Sequence, residues 1–152
     1  MATANSTANA YLRTRVFTAP PEELRLMLLD GAIRFALQGR EGLARKDFEA
    51  AHNGLSQCRT IILELLTTMR PDADPDLCTR VRSLYTFLFS ELVEASFEKS
   101  LARIDEVVKL LQYERETWAL LMTKLASERA AQRSAEPAAV GAPARGPISV
   151  EA

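Results

Sequence analysis

A chain of 152 residues with 47% hydrophobic content is long and apolar enough for one domain with a substantial core. Its formal net charge of -1 supplies no overall field towards nucleic acid or acidic lipid, and no apolar run reaches the roughly 18 residues of a membrane span. The opening MATANSTANAY lacks the basic and apolar regions of a secretory signal, which predicts a cytoplasmic protein. Cys58 and Cys78 sit among apolar residues and read as small core hydrophobes rather than a disulfide framework.

In chain order, residues 1–10 are Ala, Thr, Asn and Ser after the initial Met, with nothing to bury, and are expected to be mobile or to form one loose turn. Residues 11–19 mix Tyr, Leu, Val and Phe with Arg and Thr. They show no clear helical period and read as an apolar lead-in lying across the surface. Pro20-Pro21 followed by Glu22 and Glu23 predicts a helix start, since Pro is tolerated in the first turn and acids complement the positive helix end. The helix predicted from about Pro21 to about Leu43 is apolar over most of its circumference and is expected to be the buried central staff. Gly39 and Gly42 are expected to loosen its end.

Asp47 predicts the cap of a second helix, in which Phe48, Ala51, Leu55, Cys58, Ile62, Leu65 and Met69 alternate steps of three and four. Pro71 is expected to end it within a turn, PDADPD. Asp74-Pro75 opens a third helix with Leu77, Val81, Leu84, Leu88, Leu92 and Ala95 as its buried stripe and Tyr85, Phe87 and Phe89 beside it. A fourth begins after Glu98-Lys99, with Ser100 as cap. It continues through Leu101, Ile104, Val108, Leu111, Trp118, Met122 and Leu125, interrupted by Arg115 at a position that should point inward. From about Glu128 the composition turns to Ala, Pro, Gly, Ser and Arg, which predicts a disordered tail. The expected organisation is therefore all-α, an antiparallel four-helix bundle over 20–128, with an N-terminal segment (1–19) lying over it and a tail (129–152).

Chemistry-bearing motifs are scarce. There is no P-loop, no dinucleotide-binding glycine pattern and no Cys-x-x-Cys pair. Glu49 and His52 have the Glu-x-x-His spacing of a di-iron bundle, but such a site takes two of these motifs and His52 is the sole histidine. No metal, cofactor or catalytic group is expected. Arg13, Arg15, Arg80 and Arg82 form no stripe with aromatic residues, so a nucleic-acid partner is not expected. What stands out is apolar surplus on helices two and three and in the lead-in. By residues alone it fits either extra core filling or an exposed groove for a partner helix.

The ordered blocks NAYLRTRVFTAPPEELRLMLLDGAIRF, KDFEAAHNGL, SLYTFLFSELVEA and LLQYERETW resemble the flagellar secretion chaperone family FliS over about residues 9–122. The resemblance implies a four-helix bundle without enzymatic activity that binds the C-terminal segment of flagellin in the cytoplasm. It implies prevention of premature polymerisation and delivery to the type III flagellar export apparatus, with export-gate components as further partners. It also implies an N-terminal segment that covers an apolar groove and moves when flagellin binds. The chain departs from the family pattern at Pro20, where a capping Ser is usual and Thr18 or water must serve instead, and at Leu29, where Tyr is usual. Tyr11, Leu12 and Val16 are expected to form the movable lead-in, and Ile61, Leu65, Leu84, Tyr85 and Leu88 the groove. The alternative expectation is a homo-oligomeric helical module, at its simplest a weak homodimer, whose surplus apolar surface is a self-interface without a flagellin client.

Overall fold

The computed structural model describes residues 2–69 and 74–136 and contains five helices, with no strand among them. They are α1 (Ala2–Thr18), α2 (Pro21–Ala44), α3 (Phe48–Thr67), α4 (Pro75–Glu98) and α5 (Leu101–Ala135). Two differences from the sequence reading stand out. The N-terminal segment, expected as a loose turn and an aperiodic lead-in, is one continuous helix. The last helix continues to Ala135, beyond the point where the composition suggested a tail. Both segments are rich in Ala, the strongest helix former, so backbone propensity favours a helix where no apolar period demands one. The expected stop at Pro71 and the tail from residue 137 onward lie outside the described residues.

Local chemistry sets most helix ends. The Asp47 carboxylate accepts from Ala50 N at 3.1 Å, and Asp74 accepts from Leu77 N at 3.1 Å with Pro75 in the first turn. Ser100 Oγ accepts from Arg103 N at 3.3 Å. Just before it, Lys99 turns the chain at φ 54°, a left-handed position awkward for a side chain, and its ammonium rests 4.2 Å from the centre of the Phe48 ring. The start of α2 has no side-chain cap; Thr18 Oγ1 donates instead to Thr14 O at 2.9 Å within its own helix.

Four helices close a ring. α2 packs on α3 and α5, and α4 packs on the same two, while α1 stands outside with no extensive packing on any of them. The core is the alternating three-and-four spacing of each helix brought together: Leu29, Ala32 and Ala36; Leu55, Cys58, Ile62 and Leu65; Tyr85, Leu88, Leu92 and Ala95; Ile104, Val107 and Leu111. The tightest seam is between α2 and α3. A Cβ on Gly54 would stand 2.5 Å from Gly39 N and 2.8 Å from Phe35 O, and one on Gly42 would stand 2.6 Å from Ala51 N. Gly39 and Gly42 therefore do not loosen the end of α2; they admit α3 backbone against backbone. Cys58 and Cys78 are buried and unpaired, and burial pushes the Cys58 thiol up to about 12.

Arg115, expected to interrupt the inward face of α5, instead sits at its edge and donates through Nε to Asp30 Oδ1 at 2.8 Å. Arg40 pairs with Asp105 nearer the other end of the α2–α5 seam. Arg103 joins the start of α5 to Glu91 and Glu98 of α4 at 2.8 and 2.9 Å. These four pairs lie at or near the surface, where solvent screens the charges and each contributes little.

Candidate functional site

The amino-terminal half of α2 is where the ring fails to use its apolar residues. Leu24, Leu26, Met27 and Leu28 are all partly exposed. Leu24 and Leu28 separate two hollows. One, of about 610 Å³, lies under α1 and is lined by Leu12, Val16, Leu24, Met27, Leu28 and Gly31, with Arg15, Glu23, Asp30, Arg34 and Arg115 around it. The other, of about 450 Å³, lies between α2, α3 and α5 beside Arg25, Glu64, Thr68 and Trp118.

α1 covers the first hollow loosely. The two-residue link Ala19-Pro20 folds it back alongside α2, and among the described residues its one ion pair to the rest of the molecule is Arg15 Nη2 to Glu23 Oε1 at 3.0 Å. Arg15 is further raised in pKa by that hydrogen bond and by its neighbour Tyr11. Leu12 and Val16, one turn apart, face the cleft and remain 42% and 40% exposed, so the contact is incomplete. Tyr11 and Phe17, at 65% and 82%, point elsewhere.

Beneath the second hollow runs a polar chain. Arg25 Nη2 donates to Tyr85 Oη at 2.8 Å, and Tyr85 Oη donates to Glu114 Oε1 at 3.1 Å. The Arg25 guanidinium lies 5.5 Å from the Tyr85 ring centre and 5.1 Å from that of Trp118, whose Nε1 donates to Glu22 O at 2.9 Å. Arg25 Nε is buried without a partner. Burial raises the Tyr85 phenol above its ordinary value, with Arg25 opposing and Glu114 reinforcing the shift, so the hydroxyl remains a proton donor.

The residues expected to form a groove separate into two groups. Leu12 and Val16 line the cleft, and Ile61 approaches its floor, its Cδ1 standing 3.3 Å from where a Cβ on Gly31 would be. Leu65, Tyr85 and Leu88 are wholly inside, at 0% exposure, and Leu84 is half-buried against the core. Tyr85 falls seven residues before Leu92 and so shares its phase, which puts it in the buried stripe rather than beside it. The exposed large apolar residues of α3 and α4 are others: Phe48, Leu63, Leu77, Phe87, Val93 and Phe97, of which Phe48 and Leu77 belong to the stripes expected to be buried. Leu24, Met27 and Leu28 carried a visible signal, an all-round apolar helix, but that pattern suggested burial instead of an open floor. Arg15 and Glu23 carried none, whereas Asp30 and Arg34 are readable from the sequence either as a brace for the lead-in or as solvated charges, and both border the cleft. Glu49 and His52 are exposed on α3, and no cluster of three or more metal-ligating side chains occurs among the described residues.

What the fold and the cleft define is an all-helical protein whose α2 carries an incompletely covered apolar surface under α1. Comparison with known families makes this particular. The family model described as Flagellar protein FliS matches residues 3–125, and the chain belongs to that family of flagellar secretion chaperones, which are not enzymes. It is 28% identical over 109 residues to the flagellar secretion chaperone FliS of Bacillus subtilis, covering 72% of this chain and 80% of that one. The Salmonella typhimurium chaperone of the same name is 27% identical over 118 residues (77% and 87% covered), and that of Campylobacter jejuni 25% over 114 (75% and 89%). No helix among the described residues is long and apolar enough to cross a membrane.

Proposed function

We propose that this protein binds the C-terminal segment of flagellin in the cytoplasm, keeps it from polymerising prematurely, and accompanies it to the flagellar type III export apparatus, whose gate components meet the loaded chaperone. In this reading α2 to α5 are an antiparallel four-helix bundle, supported by the order of cross-helix partners: Gly31 with Ile61 and Gly42 with Ala51, Asp30 with Arg115 and Arg40 with Asp105. α1 is an appended cover. The observation that carries the proposal is that cover: two aliphatic residues held over an apolar cleft, with one exposed ion pair beside them among the described residues. A guest helix that displaces α1 buries the partly exposed Leu24, Met27 and Leu28, at about 25 cal/mol per Å² of apolar surface. Ordering the guest costs several kcal/mol, which keeps the complex releasable for export.

Calorimetric titration of the full chain with a flagellin C-terminal peptide tests this. Binding at micromolar or better affinity is expected, and Met27→Glu in the cleft floor should weaken it at least ten-fold. Absence of heat up to tens of micromolar peptide overturns the proposal. Sedimentation provides the contrast with a self-associating module: a homodimer that persists at saturating peptide would favour that alternative.

A further inference from the structure

The same cleft carries information about its guest, and we infer that the helix it accepts has a defined charge polarity: an acidic residue towards its amino end, then two aliphatic residues one turn apart, with a basic residue immediately before the second. This rests on the proposal that a guest helix replaces α1.

The inference starts from what α1 supplies and what it leaves unmet. At the hinge end of the cleft, Glu23 is paired with Arg15, which directly precedes Val16. A guest lying in the place of α1 breaks that pair, and Glu23 then needs another cation in the same position. Next along the cleft, Leu12 and Val16 set the spacing of the apolar contacts at one helical turn. At the end away from the hinge stand Asp30, Arg34 and Arg115. Asp30 is engaged by Arg115 at 2.8 Å, whereas Arg34 has the Phe35 ring, 5.1 Å away, as its partner and no ion pair among the described residues. The side chains lining that end therefore carry an excess of one positive charge, with Glu116 acting on Arg115 from outside the lining. α1 cannot answer it, because residues 2–18 contain no Asp or Glu.

α1 is thus an incomplete imitation of the guest. It matches the aliphatic pair and the cation but omits the acid. A guest with all three retains each contact α1 makes and adds one with Arg34, which gives it an advantage over a tethered competitor. The polarity also suits the guest on its own, since an acid near the amino end and a base near the carboxyl end both complement the helix dipole. Exposed charges of this kind contribute more to orientation and selectivity than to total affinity.

The test uses the full chain and two labelled synthetic helical peptides of identical composition, followed by fluorescence anisotropy at low ionic strength. One carries Glu about one turn before a Leu-x-x-Arg-Val block; in the other the Glu and Arg are exchanged. The first should bind about five- to ten-fold more tightly, and added salt should narrow the gap. Glu23→Arg should remove or invert the preference, and Arg34→Glu should do so independently. Thermal melts of both variants confirm that these exposed substitutions leave the fold intact. Equal binding of the two peptides overturns the inference. So does failure of both while a flagellin C-terminal peptide binds, an outcome that leaves the proposed function standing. Failure of the flagellin peptide as well removes the function and the inference together.

Discussion

α2 meets two neighbours in opposite ways. Along its carboxyl half, Gly39 and Gly42 let α3 approach until backbones touch, with the Leu55 side chain packed directly on Gly39. Along its amino half, α1 is held by one exposed ion pair and two half-covered aliphatic residues. One helix is therefore anchored at one end and left available at the other. The contrast teaches that, under the proposed function, a guest is accepted without softening the fold: the frame stays rigid and positions unburied leucines, and the cover over them is lightly attached.

The largest effect should come from disturbing the tight end. Gly54→Ala places a methyl 2.5 Å from Gly39 N and 2.7 Å from its Cα, atoms that cannot move aside without shifting α2. Overpacking should outweigh the gain in helix propensity and cost about 2–3 kcal/mol, read as a lower urea midpoint with unchanged slope. Gly31→Ala is the matched control in the open half. There the new methyl meets only the flexible Cδ1 of Ile61 at 3.3 Å, so stability should change by about 0.5 kcal/mol or less. If both substitutions destabilise alike, the division of α2 into a rigid and an open half is wrong.

An intermediate effect is expected at the polar chain joining α2, α4 and α5. Tyr85→Phe removes the hydroxyl that accepts from Arg25 and donates to Glu114, and should cost about 1–2 kcal/mol at neutral pH. The phenol also gives stability a pH dependence. Because the folded state raises its pKa above 10.0, the unfolded chain ionises first. The folded state then holds the extra proton, so this contribution is complete below pH 10 and is lost as pH rises beyond it. Denaturation midpoints should fall more steeply above pH 10 in the parent protein than in Tyr85→Phe.

The smallest change in stability should accompany changes to the cover. Leu12→Ser with Val16→Ser should alter the unfolding free energy of the four-helix ring by about 1 kcal/mol or less, since both residues are only about half covered and α1 lies outside the ring. The same pair should raise affinity for a flagellin C-terminal peptide several-fold, because the tethered competitor is weakened. Unchanged or reduced affinity would mean that α1 is not a competitor for the guest.

How far this could be read in advance depended on the range of the interaction. The helix starts at Asp47, Asp74-Pro75 and Ser100 were legible because a cap is a contact between residues three apart. The stripes of α3 and α5 were legible for the same reason: helical phase is a property of neighbouring residues. The apolar pattern of α1 has no period, and the helix there follows from the propensity of its alanines. A lone chain cannot reveal a second backbone about 3 Å away, so in sequence the glycines of α2 look like a loosened end. Leu65 and Leu88 were separated from Leu24 and Leu28 only by which helices close around them, and all four are equally apolar on paper.

By itself, then, the sequence determined where helices begin, which residues share a face, and that more apolar surface exists than one core requires. The tertiary structure alone decided where the surplus lies. Burial is a competition for neighbours, and α2 is flanked by α3 and α5 but left, on one face of its first three turns, with nothing firmer than α1 to cover it.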